Sequence, residues 1–488
     1  MSGFLFTYLR LLALMFLEFF IWGAWIVPIS SYMNATLGFS GTQIGWICGA
    51  SALGALISPV FVGYFADRFF STERILAVLH FAGAGCLCLA ARQTTFPGMM
   101  TVIVIDALCF MPTLPLVNNL VFRHIGKSER FSWVVLGGSI GWIIAGLVVG
   151  FVFGEKTATF FHLAAGAEAL LALYCFTLPH TPPKGIDAKG QDVFGLTAAR
   201  LLKDPAFLVF AVAIPLVTIS KTFYTTWTNA FLTEIMFPKP TAVMTLSQIS
   251  ELLTMIILPW FISKIGLKRV LMVGMAVWAI RFFAFGSMNV VAVIIGLLLH
   301  GFSYGFVITG ASIYAERLVP PGMSARAQSF IALLIFGIGM FFGAQVAGFT
   351  GQRYQSDGIA ATKQAGNGIR QQVQVQLPAW NLTSTSKESL PKLLGTPEDR
   401  LTLAFMESLP ESGITIQNAN NLQFNRKDLI AAFKAADRDG NGIVEKSEWN
   451  KNRIHAWPKI WGWGASLAIL AFLLFWIGGK DPQPVNKE

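Results

Sequence analysis

The segment Gly63-Tyr-Phe-Ala-Asp67-Arg68-Phe-Phe-Ser-Thr-Glu-Arg74 joins two long apolar runs of this chain. Its glycine lets two helices approach closely, because it has no side chain to hold their backbones apart. Asp67 can cap the following helix or pair with a basic residue, and the two arginines place positive charge at a membrane surface. By itself the segment is either an ordinary charged turn or a structured connection between two membrane helices.

The composition is that of an integral membrane protein. Of the 488 residues, 54% are hydrophobic and 13% are charged, and the mean hydropathy is +0.59. Soluble domains usually carry about 25% charged residues. The apolar content excludes a disordered chain, and the five cysteines are too few for a disulfide-rich secreted scaffold. The net charge of +10 is typical of loops that follow the positive-inside rule, so we predict no nucleic-acid partner.

Twelve apolar runs are long enough to cross a bilayer, at about 20 residues each. The predicted spans lie near residues 8–32, 44–65, 74–92, 98–121, 131–153, 158–179, 205–232, 241–263, 270–287, 289–314, 327–350 and 457–478. Six precede and six follow a polar segment. The predicted fold class is therefore an all-α membrane protein with two six-helix halves and a small extracytoplasmic domain.

This pattern divides the chain into five parts. They are a first half at 1–180, a linker at 181–204, spans seven to eleven at 205–350, an insert at 351–456, and the last span with its tail at 457–488. Alternate short loops carry most of the lysines and arginines. The positive-inside rule therefore predicts a multi-pass protein of the cell (inner) membrane with both termini cytoplasmic and the insert outside.

The glycine–acid–arginine arrangement of the opening segment resembles the signature between helices 2 and 3 of the major facilitator superfamily. A looser copy, Ile265-Gly266-Leu-Lys268-Arg269, follows the eighth span, six spans later. The resemblance implies two helical bundles that rock around a binding site near the middle of the membrane.

Further stretches of sequence resemble one particular family within this superfamily. They are Phe20-Ile-Trp22-Gly23-Ala-Trp25 and Ser31-Tyr32-Met33 in the first span, Met111-Pro112-Thr113-Leu in the fourth, Gly138-Ser139-Ile-Gly141 in the fifth, Thr177-Leu-Pro-His180 after the sixth, Ser247-Gln248-Ile-Ser250-Glu251 in the eighth, and Arg281-Phe282 in the ninth. Their order over about residues 10–350, and the last span, are similar to the nucleoside:proton symporter family. The insert has no counterpart in the usual pattern of that family.

The candidate substrate-binding residues are polar or aromatic side chains within spans. They are Ser139, Trp142, Thr222, Thr225, Gln248, Glu251, His300 and Tyr304. Gln248 and Glu251 match family positions that bind the nucleoside, since a carboxylate accepts hydrogen bonds from ribose hydroxyls and a carboxamide can pair with a base edge. The aromatic rings can stack on a base, and the histidine can bind substrate or carry a proton. Each also has a structural interpretation, as a polar clamp, core aromatic or core histidine.

Lys221 is the deepest lysine in the predicted spans, so we expect its charge to be paired inside the bundle. It shares one helix face with Thr225 and Asn229. The acids available as partners are Glu251, Asp106, Glu18 and Glu168. We predict a pair with Glu251 that couples proton entry to substrate binding. The alternative is a structural pair with Asp106 or Glu18.

Two positions depart from the family pattern. The arginine expected four residues before the helix-five hydroxyl is replaced by Val135, and the acid expected after the helix-ten aromatic is replaced by Gly305. These departures leave the coupling ion and the exact substrate open.

The insert contains the segment Asp437-Arg-Asp439-Gly-Asn441-Gly442-Ile443-Val-Glu445-Lys-Ser-Glu448, which fits the EF-hand calcium loop at every diagnostic position. The predicted ligands are the side chains of Asp437, Asp439 and Asn441, the carbonyl of Ile443, Glu445 directly or through water, and bidentate Glu448. The loop at 437–448 is therefore predicted to bind one calcium ion. Since EF-hands usually pair, Gly413–Ile416 is a candidate pairing strand, preceded by a helix at Pro397–Leu409.

No nucleophile–base constellation, phosphate-binding loop or zinc-ligand cluster occurs in the sequence, so we predict that the protein is not an enzyme. The predicted function is secondary active transport of nucleosides, with protons as the expected coupling ion and the bilayer as environment. Alternatives are transport of another polar solute, such as a sugar derivative, or a sensor of ligand or calcium that does not transport. The oligomeric state is open.

Overall fold

A computed structural model describes residues 2–61, 70–125, 128–183, 196–235, 237–319, 323–355 and 455–481, together with short pieces between 401 and 444. The described bundle is helical, and several helices continue into a π-helical turn. Gly63, Asp67 and Arg68 of the opening segment lie outside the described residues, whereas Arg74 is exposed in the first turn of a helix.

The first half is built from eight α-helices in its described part. They are α1 (Ser2–Ile26), α2 (Ile29–Ser31), α3 (Gly41–Phe61), α4 (Thr72–Ala90), α5 (Phe96–Phe110), α6 (Thr113–Ile125), α7 (Ser128–Val148) and α8 (Thr159–Cys175). The π-helical turns Tyr32–Leu37 and Val149–Phe153 extend α2 and α7.

The second half begins with a 3₁₀-helix, Leu196–Lys203, at the end of the linker. Its α-helices are α9 (Pro205–Glu234), α10 (Pro240–Ile265), α11 (Leu267–Gly286), α12 (Val290–Leu298), α13 (His300–Tyr304), α14 (Gly310–Leu318), α15 (Ser324–Ala332), α16 (Met340–Arg353) and α17 (Trp457–Gly478). The π-helical turns Gly305–Thr309 and Leu333–Gly339 join α13 to α14 and α15 to α16.

Membrane-spanning helices dominate the part of the chain that the structure describes. Nine helices there are long and apolar enough to cross a bilayer, and a pair bent by 44° between Val290–Leu298 and His300–Leu318 makes a tenth. Two shorter apolar helices, Gly41–Ile57 and Thr159–Cys175, coincide with the second and sixth predicted spans. The prediction of a helical multi-pass membrane protein is confirmed.

Local sequence explains where helices of the second half begin. Asp204 caps α9, because its Oδ1 accepts from the backbone N–H groups of Ala206 and Phe207, at 2.8 and 2.9 Å. Between α10 and α11 the chain turns at Gly266, whose φ of +82° is available mainly to glycine. This is the glycine of the second signature copy. Asp481, beyond α17, accepts from the N–H of Lys268 at 2.9 Å and so caps α11.

The insert leaves and returns at one end of the bundle, here called the insert end and defined by Tyr354, Gln355 and His455. Gln355 and His455 form an antiparallel bridge, and the N–H of Ala456 donates to the carbonyl of Tyr354 at 2.9 Å. His455 also contacts Glu234 at the end of α9 through its backbone N–H at 3.0 Å and its Nδ1 at 2.9 Å. The two ends of the insert are therefore held together against α9.

Four short strands are described within the insert. Strand β1 (Leu401–Thr402) pairs with β4 (Ile443–Val444), and β2 (Ile414–Ile416) pairs with β3 (Leu422–Phe424), both antiparallel. The predicted EF-hand loop thus pairs with a segment that we predicted to be helical. A strand does form at Ile414–Ile416, as predicted for Gly413–Ile416, but the predicted pairing with the EF-hand loop is wrong, because this strand pairs with β3 in a local hairpin.

Candidate functional site

The core of the candidate site lies in the second half, where α10 crosses the bend before α13. The Nε2 of His300 lies 3.9 Å from Oε2 of Glu251, and 22% of the Glu251 side chain is exposed against 5% for His300. Ser250 stabilises the crossing, because its hydroxyl donates to the carbonyl of Leu298 and accepts from the N–H of Gly301. The bend frees these backbone groups for Ser250 and turns His300 towards the carboxylate.

His300 is stacked with two tyrosine rings. Its imidazole stacks on Tyr224 on one side and on Tyr304 on the other, with ring centres 4.7 and 5.4 Å apart. The Nζ of Lys221 lies 5.6 Å from the ring centre of Tyr304. The structure therefore brings together four predicted residues, Lys221, Glu251, His300 and Tyr304, and adds Tyr224, which sequence reasoning did not select.

Arg281 supports this stack of rings from within the second half and is fully buried. Its Nε donates to the carbonyl of Gly296 at 2.6 Å and its guanidinium to the hydroxyl of Ser303 at 2.9 Å. The guanidinium carbon also lies 4.6 Å from the ring centre of Tyr224 and 4.5 Å from that of Trp278. The sequence marked this arginine as a family feature, and the structure assigns it a positioning role behind Tyr224.

The predicted pair of Lys221 with Glu251 is not formed at ion-pair distance. Among the described side chains, Lys221 forms no ion pair within 4 Å, although it is close enough to Glu251 for an electrostatic interaction. Of the two alternative partners, Glu18 lies 3.1 Å from His80 in the first half, and Asp106 interacts electrostatically with the same histidine. The Lys221–Glu251 pair stays a prediction, and the structure argues against Glu18 as the partner.

The other predicted site residues on α9 and α10 differ in the burial and hydrogen bonding of their side chains. The hydroxyl of Thr222 is buried and donates to the carbonyl of Thr218 at 2.8 Å, so it is engaged within its own helix. Thr225 is exposed beside Lys221, and Gln248 is half-buried one turn before Glu251. Thr225 and Gln248 are therefore more accessible than Thr222, although the hydroxyl of Thr225 also donates within its helix, to the carbonyl of Thr222 at 3.1 Å.

Ser139 and Trp142 lie on α7 in the first half. Trp142 packs edge-on against Trp22 with ring centres 5.4 Å apart, and the ring of Phe110 also contacts Trp22, with centres 5.9 Å apart. Gly23 makes room for Trp142, since a Cβ at that position would lie 3.1 Å from its ring. Within the described residues, neither Ser139 nor Trp142 forms a hydrogen bond or ring contact with the second-half residues of the site.

Hydrogen bonds close the two halves against each other at the insert end. Ser31 donates to Asn229, Asn229 donates to Thr241 at 3.0 Å, and Thr241 donates to Glu155 at 3.3 Å. The network therefore runs from the first half into α9 and α10 and back to the first half. Burial raises the pKa of the Glu155 carboxyl, which lies beyond the end of its span.

Glycines bring α3 and α16 into direct contact at the same end. A Cβ at Gly45 would lie 2.6 Å from the carbonyl oxygen of Ala344 and 2.9 Å from the Cα of Gly348. The N–H of Gly41 donates to the side chain of Gln352 at 2.9 Å. Because no side chain separates the helices, the two halves meet backbone to backbone.

Residues 5–365 match the family model described as nucleoside H⁺ symporter. The chain belongs to the nucleoside H⁺ symporter family. This is a family of transporters, so the prediction that the protein is not an enzyme is confirmed. The match ends at residue 365, and most of the insert lies beyond it.

Named relatives and a solved structure agree with this assignment. The chain is 39% identical to the YegT protein of Escherichia coli (strain K12) over 357 residues, which is 70% of this chain and 84% of YegT. It is 30% identical to the nucleoside permease NupG of the same strain over 373 residues, 72% of this chain and 89% of NupG. The crystal structure of NupG matches with a TM-score of 0.67 at 28% identity, over 72% of this chain and 92% of that one. The expected major-facilitator-type fold is confirmed.

The metal ligands predicted in the insert fall almost entirely outside the described residues. Ile443 lies in β4, whereas Asp437, Asp439, Asn441, Glu445 and Glu448 are not among the residues that the structure describes.

Proposed function

We infer that the protein is a secondary active transporter that moves nucleosides across the membrane by alternating access. The observation that carries this function is Glu251, a partly exposed carboxylate within a span, 3.9 Å from His300 in a member of the symporter family. An ionisable group inside a span costs free energy, so its place at an accessible position indicates a binding role.

The side chains around Glu251 suit a nucleoside. The carboxylate accepts hydrogen bonds from the vicinal hydroxyls of a ribose, and Gln248 can donate to and accept from a base edge. Tyr304, whose ring contacts both Lys221 and His300, provides an aromatic wall for the site. The relative NupG, a nucleoside permease, supports this substrate class.

We propose that the bundle has twelve spans with both termini in the cytoplasm. The insert end then faces outside, and the hydrogen bonds of Ser31, Asn229 and Thr241 close it. In this arrangement Glu251 is reached from the cytoplasmic side. The basic residues Arg74 and Lys268 at the opposite end support this orientation through the positive-inside rule.

Exchange of labelled uridine in vesicles that contain the purified protein tests the function. We expect unlabelled nucleosides to compete and sugars not to compete. Glu251→Gln should abolish exchange, whereas Glu316→Gln, which changes an exposed carboxylate on α14, should leave it intact. Competition by sugars alone would favour the sugar-derivative alternative, and nucleoside binding without exchange would favour the sensor.

We propose in addition that the insert binds one calcium ion in the loop at 437–448. The spacing of the carboxylates supports this site. Gly440 has a φ of +71°, and Lys427, Ile430 and Lys434 are helical where the motif requires an entering helix. When bound, calcium would be held by Asp437, Asp439, Asn441, the carbonyl of Ile443, Glu445 and Glu448.

A further inference from the structure

Four ionisable side chains from four helices meet inside the first half, apart from the residues around Glu251. The Nε2 of His80 on α4 lies 3.1 Å from Oε2 of Glu18 on α1, and its Nδ1 lies 3.3 Å from Oε1 of Glu168 on α8. Asp106 on α5 interacts electrostatically with His80 and Glu168. None of the four is more than 1% exposed.

The surrounding helices provide space and one neutral partner for this cluster. Gly83 lies one turn after His80, and a Cβ there would overlap the carboxylate of Glu168. The hydroxyl of Thr113 donates to Oε1 of Glu18 at 2.5 Å. A side chain at Gly83 would therefore displace Glu168 from His80.

The charges of the cluster do not balance. With three ionised carboxylates and one imidazolium, two negative charges remain uncompensated. In the part of the chain that the structure describes, no lysine or arginine forms an ion pair with any of the four. Both carboxylate oxygens of Asp106 and Oε2 of Glu168 have no hydrogen-bond partner there. Buried charge of this kind is too costly within a span, so the cluster must take up at least one cation.

The bound cation is best explained as a proton. No group of three or more His, Cys, Asp or Glu side chains in the described residues is placed to hold a metal ion. The other titratable groups that face the cluster are the thiols of Cys86 and Cys109, near Asp106 and Glu168, and of Cys175, near Glu18 and Glu73. None of these groups supplies positive charge.

Packed rings connect the cluster to the predicted substrate residue Trp142. Phe110 lies 6.1 Å from His80 and 5.9 Å from Trp22, measured between ring centres. Trp22 follows Glu18 by one turn of α1 and lies 5.4 Å from Trp142. The packed rings of Phe110 and Trp22 therefore connect His80 to Trp142.

We propose that His80, Glu18, Asp106 and Glu168 form the proton-binding site that couples nucleoside transport to a proton gradient. The proposal rests on the proposed transport function. The proton is taken up by the cluster from one side of the membrane and released from it to the other, without any bond to the substrate.

Two assays on the full-length protein in vesicles test the proposal. The first is exchange of labelled uridine at equal pH on both sides, which needs no net proton movement. The second is uridine accumulation driven by a pH difference of about one unit, which can support about tenfold accumulation if one proton moves with each nucleoside. We expect Glu168→Gln and Asp106→Asn to retain exchange and to lose the accumulation entirely.

The matched control is His162→Gln, which changes an exposed histidine on the same helix as Glu168 and should behave as wild type. Asp106→Asn separates loss of coupling from loss of folding. Asp106 accepts no hydrogen bond in the described residues, so its replacement breaks none and the variant should fold.

Other outcomes contradict the proposal in distinguishable ways. Gradient-driven accumulation by both variants, or loss of exchange in stably folded variants, would assign the cluster a different role. If the wild-type protein exchanges uridine but does not accumulate it under the pH difference, proton coupling is overturned and the transport function is not. Wild-type protein that exchanges no nucleoside would overturn the transport function and the coupling proposal with it.

Discussion

Lys221 and Tyr304 form a cation–π contact in the second half, with the Nζ of the lysine 5.6 Å from the ring centre of the tyrosine. The same ring stacks on His300, which in turn faces Glu251. The buried ammonium is therefore held by an aromatic face in this conformation, within electrostatic reach of the carboxylate. An ion pair between Lys221 and Glu251 would need the two side chains to approach each other further.

A double-mutant cycle tests whether Lys221 and Glu251 act as a pair. Lys221→Met and Glu251→Gln should each weaken nucleoside binding, and the double variant should lose less than the sum, by about 0.5–3 kcal/mol. The measurement is nucleoside affinity by calorimetry over a range of pH. Strictly additive losses would eliminate the pair and leave Lys221 as a structural partner of Tyr304.

Arg281→Lys should destabilise the second half. Lysine cannot keep the two hydrogen bonds and the flat contacts with Tyr224 and Trp278, so we expect a loss of about 1.5–3 kcal/mol. Thermal unfolding in detergent measures the effect. Arg269→Lys, at an exposed position, is the control, and equal unfolding temperatures for the two variants would contradict the positioning role.

Gly45→Val should prevent closure of the insert end. The new side chain would meet the backbone of α16 at Ala344 and Gly348, so the halves cannot approach there. We expect exchange to be lost while nucleoside binding remains measurable by calorimetry. Gly85→Val is the matched control, because a Cβ at Gly85 has no neighbour within 4 Å. Normal exchange by Gly45→Val would show that this contact is dispensable.

The closed insert end should be favoured as the pH falls. Burial raises the pKa of Glu155, so the closed state binds a proton more tightly than a state in which this carboxyl is exposed. The contribution is present at low pH and is lost as the pH rises through the raised pKa. Amide hydrogen exchange at the start of α10, corrected for its intrinsic pH dependence, should show this trend in wild type and not in Glu155→Gln. The same trend in the variant would assign it to another group.

Calcium should bind to the insert with an affinity typical of extracellular modules, at a Kd of about 10⁻⁴–10⁻³ M. Glu448→Gln removes one charge from the bidentate ligand and should abolish binding without unfolding the bundle. Calorimetry on the full-length protein decides, with Glu388→Gln as a control elsewhere in the insert. Undiminished binding by Glu448→Gln would refute the ligand assignment.

The sequence alone located the membrane helices and the principal carboxylate of the site. Each span must be apolar over its whole length, so hydropathy marks its position without any knowledge of its neighbours. Within such a run an ionisable residue stands out, which is why Glu251 and Lys221 were selected. The bend before His300 was not predicted, although Gly296 and Gly301 lie close to it, because glycines occur throughout the spans and do not by themselves mark a bend.

Only the tertiary structure decided which spans face each other. The sequence marked Glu18, Asp106 and Glu168 as possible partners of a buried cation, and Lys221 was the cation that it suggested. The structure places His80 among these acids instead. Soluble helices reveal their inner face by an apolar stripe, whereas a membrane helix is apolar on all sides. The faces that meet are set by close packing of small residues such as Gly83, and this information exists only when the helices are assembled.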